Sequence, residues 1–196
     1  MNFLAHAYLS FDHPQLLIGN MISDFVKGKA QYSFAKGIQK GILLHRSIDD
    51  FTDTHAATHE AKKIFSPYYR LYSGPITDVL YDHFLANDQN IFTERSLRSF
   101  TQHTYACLEE HITQLPDKFV MVLGYMKSQD WLFNYRSHAG IQRSLMGLAR
   151  RATYLSESDV AYNLFLSHYV TLKELYDDFI KDIQVFSKKK INELLS

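Results

Sequence analysis

The sequence predicts an all-α fold, a single compact multi-helix domain over residues 1–196. Three observations carry this expectation. Apolar residues recur at three- and four-residue spacing through long stretches, while strand-like alternation is scarce. Only four prolines and eight glycines punctuate 196 residues. Apolar residues make up 46% of the chain and aromatics 14%, enough for one sizeable core. Lysine plus arginine balances aspartate plus glutamate, 21 against 21, so no excess positive charge advertises nucleic-acid binding. The single cysteine, Cys107, rules out an internal disulfide and a cysteine-rich zinc site, and reads as a small buried residue. The N-terminus lacks the basic region of a signal peptide, and no run of about 18 apolar residues occurs. A soluble, cytoplasmic protein with no membrane partner is expected.

The elements follow in order. A short helix covers roughly Asn2 to Ser10 and stops before "FDHP", because Pro14 disfavours helix at the residue before it. A second covers about Gln15 to Val26, with Gly28 as its C-terminal cap. A third runs from about Ala35 to Phe65, with a break near Thr54. "SPYY…YSGP" is the clearest interruption, and Pro75 then starts a helix reaching Asn87. "NDQNIFTERS" is a loop before a helix over Leu97 to Gln114, which Pro116 ends. Phe119 to Lys127, Asp130 to Arg151 and Glu157 to Leu195 complete the set, the last with a basic "SKKK" read as a solvated end.

Four N-terminal segments share a peculiarity: acids and imidazoles placed on apolar helix faces. In "LLHRSIDDFTD" His45, Asp49 and Asp53 are each four apart and stack on one face. In "PQLLIGNMISDFVKG" Asp24 ends the stripe of Leu17 and Met21. In "PITDVLYDHFL" Asp78 and Asp82 are four apart, and His83 shares a face with Ile76, Val79 and Leu80. His6 sits in the nearly all-apolar "MNFLAHAYL". Buried carboxylates are costly unless paired or metal-bound, so several of them converging with histidines suit a divalent-cation site inside a helical bundle. Structural readings stand beside this one. Asp49 with Arg46 also fits an ion-pair network, each histidine taken alone fits a hydrogen-bonded core, and Asp78 fits a first-turn charge.

"MNFLAHAYLS", "LIGNMISDFVKG", "GILLHRSIDDFTD" and "PITDVLYDHFL", followed by "SQDWLFNYRSHAGIQRSLMGLARR", resemble the acyl carrier protein phosphodiesterase family over essentially the whole chain. The resemblance implies a helical, HD-phosphohydrolase-like fold. It also implies removal of 4′-phosphopantetheine from the serine of holo-acyl carrier protein, with manganese as the usual metal. The pair Asp82-His83 reverses the order of the HD doublet, so ligand roles do not transfer position by position.

On that footing the ligand pool is His6, Asp24, His45, Asp49, Asp78 and Asp82, with manganese, magnesium or iron preferred to zinc because no thiolate is present. Arg46 is the candidate for neutralising phosphate charge, and His83, where it is not a ligand, for protonating the departing serine oxygen. The acidic carrier protein would meet a basic rim drawn from Lys27, Lys29, Lys36, Lys40, Lys62, Lys63, Arg70, Arg143, Arg150 and Arg151. Two other readings stay open: a hydrolase of nucleotides or other small phosphodiesters, and a non-catalytic module that binds carrier protein.

Overall fold

The computed structural model describes residues 1–151 and 158–196, and among these there are helices and turns but no strand. Helix α1, Phe3–Tyr8, opens the chain, and α2, Pro14–Ile22, follows. Pro14 occupies the first position of α2, where a missing N–H costs nothing. Instead of reaching Val26, the chain tightens after Ile22 into the 3-10 turns Ser23–Phe25 and Gly28–Ser33. Gly28, at φ +55°, therefore opens a turn rather than capping α2.

Helices α3, Lys36–Thr54, and α4, Ala56–Tyr69, are the two halves of the long third stretch, broken where expected. His55 lies extended between them, and its Nδ1 accepts from the Ala57 N–H at 3.2 Å. Helix α4 runs on through Pro67, against the interruption expected there. Pro67 removes the amide that would serve the Lys63 carbonyl. Ser66 Oγ donates to that carbonyl at 3.4 Å, while buried Phe65 and Tyr69 hold the last turn in the core.

Helix α5, Ser73–Ala86, takes Gly74 and Pro75 into its first turn. Helix α6, Glu94–Glu110, starts ahead of Leu97 because Thr93 and Ser96 cap it reciprocally. Helix α7 is Asp117–Ser128. The single helix expected over Asp130 to Arg151 is two, α8, Trp131–Asn134, and α9, His138–Arg151. Ser137 Oγ accepts from the Gly140 N–H at 3.0 Å and starts α9 afresh. Helices α10, Ser158–Ser167, and α11, Tyr169–Leu195, close the chain. The expected start at Glu157 lies outside the described residues. The "SKKK" segment is helical, within α11, and its Lys188 and Lys189 are exposed as expected of a solvated end, while Ser187 and Ile191 on the other face are buried.

Two packing features position the site. Helix α5 is buried nearly all round, at 11 of its 14 residues, as expected of a helix inside a bundle rather than on its surface. Helices α2 and α3 cross at Gly19 and Gly41. A Cβ on Gly19 would come 2.7 Å from the Gly41 Cα and collide with the Ile38 carbonyl oxygen. That approach buries Ile18, Ile42, Leu44 and Ile48 completely, each contributing about 1.5–3 kcal/mol. Cys107 is buried as expected. No described helix is long and apolar enough to cross a membrane.

Candidate metal centre

Helix α1 has six residues, too few to be stable alone. It is fastened from a distance: the Asp82 carboxylate on α5 accepts from the Leu4 N–H at 2.7 Å and the Ala5 N–H at 3.2 Å. These are two of the amides a helix start leaves without partners. Asp82 is fully buried, and burial pushes its carboxyl up to about 7. The clasp fixes His6, which follows directly on α1.

The glycine crossing of α2 and α3 brings Asn20, beside Gly19, against both histidines. Its side-chain oxygen stands 2.7 Å from His6 Nδ1, and its backbone oxygen 2.7 Å from His45 Nδ1. The Asn20 NH2 donates to the His6 carbonyl at 2.8 Å and to Ser10 Oγ at 3.1 Å, which settles which end of the amide faces the ring. Both oxygens only accept, so both imidazoles carry a proton on Nδ1. Their Nε2 atoms are thereby set toward the site, as in histidine metal ligands held by a second hydrogen bond. Sequence reading passed over Asn20. Its signal was a lone amide in the apolar run "LLIGNMI", beside a glycine.

The rings of His6 and His45 stack at 3.9 Å between centroids and 15° between planes. One ligand atom from each, with a carboxylate oxygen of Asp49, falls within 4.8 Å of the others. His45 Nε2 lies 3.0 Å from Asp49 Oδ2 and 3.3 Å from Asp24 Oδ1. His6 Nε2 lies 3.2 Å from Asp49 Oδ1, yet makes no hydrogen bond and is buried. Burial and the neighbouring His45 lower His6 to about 4, against the pull of Asp49. Burial opposes charge on His45 too, but hydrogen bonds to Asp24 and Asp49 outweigh it and raise the ring to about 9. Burial likewise opposes charge on Asp49, and the His45 hydrogen bond and His6 hold its carboxyl far below the usual range. The hydrogen bond to His45 also lowers Asp24.

An orphaned imidazole nitrogen, a second imidazole and converging carboxylates fit a divalent cation. His6, His45 and Asp49 could hold it, with Asp24 at the exposed edge. All but the two histidines face a cavity of about 490 Å3, lined also by Met1, Asp53, Asp78, Lys62 and Arg70. The Met1 ammonium is buried 3.0 Å from Asp78 Oδ1 and 3.5 Å from Asp49 Oδ1. Burial disfavours its charge, but the two carboxylates raise it to about 10. Lys62 pairs with Asp53 at 2.6 Å. Arg70 is held at φ +48°, a backbone strain of the kind that gathers at functional sites.

Three expected site residues stand apart from this group. Asp82 is engaged with α1. His83, adjacent to it, points into an aromatic nest of Phe84, Phe165, Tyr169 and His138. Its Nδ1 faces the Tyr135 carbonyl at 2.8 Å and its Nε2 the Tyr169 hydroxyl at 3.1 Å, so both nitrogens are used. Burial lowers the ring to about 4. Arg46 lies exposed on α3, its Nη1 donating to Gln31 Oε1 at 2.9 Å, and it does not line the cavity. Of the expected basic rim, Lys62 and Arg70 do line it, Arg143 and Arg150 line a neighbouring cavity, and the Arg151 side chain lies outside the described residues.

A family model described as acyl carrier protein phosphodiesterase matches residues 1–183. The chain is similar to the acyl carrier protein phosphodiesterase of Photorhabdus laumondii, 33% identical over 180 residues that cover 91% of each chain. The protein of that name from Yersinia pestis is 34% identical over 91% of this chain and 93% of its own. That from Enterobacter sp. strain 638 is 32% identical over 97% of this chain and 99% of its own. No solved structure matches. The likeness runs through α1, α2, α3 and α5, the helices that build the histidine and aspartate cluster, and on into α11: the chain belongs to the acyl carrier protein phosphodiesterase family.

Proposed function

We propose that the chain hydrolyses the phosphodiester between 4′-phosphopantetheine and the serine of holo-acyl carrier protein, in the cytoplasm. Water adds at phosphorus, the bond from phosphorus to the serine oxygen breaks, that oxygen takes a proton, and apo-carrier protein and 4′-phosphopantetheine leave. The observation that supports a hydrolase over a binding module is the orphaned Nε2 of buried His6 beside His45 and Asp49. A fold that needed these groups only for packing would have satisfied that nitrogen.

His6, His45 and Asp49, with Asp24 beside them, would hold the cation. Imidazole and carboxylate together without thiolate favour manganese, with iron or magnesium as the alternatives. When bound, a divalent cation supplies Lewis acidity toward a non-bridging phosphate oxygen and lowers the pKa of water. The chain's own groups do the rest. Asn20 holds both imidazoles in one tautomer, so neither reorients when the site is filled. Lys62 and Arg70, in the same cavity, offset the phosphate charge in the role first given to Arg46. His83, with both nitrogens engaged, lacks a free one for proton transfer. Kinship with the HD phosphohydrolases is part of this proposal, supported by histidine and aspartate donors on helices of an all-α domain.

A mass-resolved assay of holo-acyl carrier protein with added manganese tests the reading, comparing this chain with its Asp24→Ala and His45→Ala variants. Loss of the phosphopantetheine mass, dependent on metal and abolished by His45→Ala, is expected. An unchanged carrier-protein mass with folded, manganese-bound protein overturns it and leaves small phosphodiesters as the substrate class.

A further inference from the structure

We propose, resting on the function above, that a second cavity next to the acidic one seats the pantetheine arm of the substrate. The two cavities share a wall made of consecutive residues. Met1 and Asp78 line the acidic cavity, and their chain neighbours Asn2 and Val79 line the second, of about 460 Å3. Consecutive Cα atoms are about 3.8 Å apart. The acidic cavity that holds Asp49 and the second cavity thus lie on either side of the same short stretches of backbone, Met1–Asn2 and Asp78–Val79. The volume lies in the range of small-molecule sites.

The lining has the chemistry such an arm needs. Pantetheine alternates amides with short methylene runs, so it requires apolar walls broken by amide-sized hydrogen-bonding groups. Phe3 and Trp131 supply apolar wall, their ring centroids 6.5 Å apart. Asn2 and Gln129 supply side-chain amides. Gln129 Oε1 accepts from Trp131 Nε1 at 3.0 Å, an arrangement that orients the amide and leaves its NH2 as the donating end.

Gly147 on α9 is among the residues that line this cavity. Among the described residues, a Cβ there would meet nothing within 4 Å. A mid-helix glycine weakens its helix relative to alanine, and here its missing side chain leaves open space in the lining.

Trp131 is the single tryptophan of the chain, so its emission reports on this cavity alone. The full chain would be titrated with 4′-phosphopantetheine and with pantetheine while that emission is followed. A saturable change with both is expected, weakened on the order of tenfold or more in Gly147→Phe, whose ring fills the cavity. Gly147→Leu repeats the comparison should the phenylalanine variant fail to fold. A flat titration of the wild-type chain overturns the assignment, as does one that neither Gly147→Phe nor Gly147→Leu alters. The mass-resolved assay separates the two failures. Arm released from carrier protein with a flat titration removes the cavity assignment alone, whereas carrier protein left intact removes the proposed function and this inference with it.

Discussion

Asn20 Oδ1 stands 2.7 Å from His6 Nδ1, and the same residue's backbone oxygen stands 2.7 Å from His45 Nδ1. One residue that touches no ligand therefore sets the donor atoms of two imidazoles. Asn20→Ala should weaken manganese binding by about 10–100-fold, the usual cost of removing an outer hydrogen bond to a ligating histidine. It should also destabilise the fold by about 1–3 kcal/mol, because His6 is left with unpaired buried groups. Asn20→Asp, which still accepts from Nδ1, should retain more of the affinity than the alanine variant. Calorimetric titration with manganese checks both, and wild-type affinity in Asn20→Ala would show that the rings are held by something else.

The crossing of α2 and α3 offers a second test, remote from the ligands. A Cβ at Gly41 would strike the Leu16 carbonyl and lie 2.8 Å from the Gly19 Cα. Gly41→Ala should cost about 1–3 kcal/mol of overpacking in a denaturant melt. It should also lower metal affinity, since parting the helices draws the Asn20 carbonyl away from His45. An unchanged unfolding midpoint would mean that the helices slide without penalty.

His83 makes a pH prediction with a definite sign. Burial lowers its folded pKa to about 4, from 6.5 in an open chain. Between those values the unfolded chain binds the additional proton, so stability is full above pH 6.5 and is lost as pH falls toward 4. The contribution of this one residue to acid sensitivity is about 3 kcal/mol. His83→Gln should flatten the stability profile over that interval by comparison with the wild type. Parallel profiles would mean that the ring is already charged in its aromatic nest.

Charge recognition of an acidic carrier protein should be sensitive to salt. Raising salt from about 0.05 to 0.5 M should depress hydrolysis of holo-carrier protein far more than hydrolysis of a small phosphodiester. Initial rates on the two substrates measure this directly. Equal sensitivity would remove the basic rim from recognition.

The helices, the break after Thr54 and the alignment of His45 with Asp49 on one face of α3 were legible in the sequence because each rests on local spacing. His6 and Asp24 were expected only as members of a wider pool that also held Asp78 and Asp82. What spacing does not carry is direction. Asp82 and His83 are consecutive, so they leave α5 about 100° apart, one toward α1 and the other toward α11. Since α5 is buried on every side, no apolar stripe indicated which of them faced the site. Arg46 failed for the same reason, one residue from His45 but on the outer face of α3. Asn20 was hidden because its part is played equally by its backbone oxygen, which any residue possesses. The continuation of α4 past Pro67 depended on a hydroxyl substituting for an amide, a repair that composition does not reveal.

The grip of Asp82 on Leu4 and Ala5 joins positions 78 and 77 residues apart along the chain. Closing so large a loop has an entropic cost that local helix contacts do not share. The first helix therefore waits for the fifth. A chain emerging from synthesis can form the histidine and aspartate face of α3 early, but His6 arrives only after α5 has been made and buried. A cation held by His6, His45 and Asp49 would thus be captured only after Asp82 has been made, and a chain stopped short of Asp82 would present His45 and Asp49 without a fixed His6.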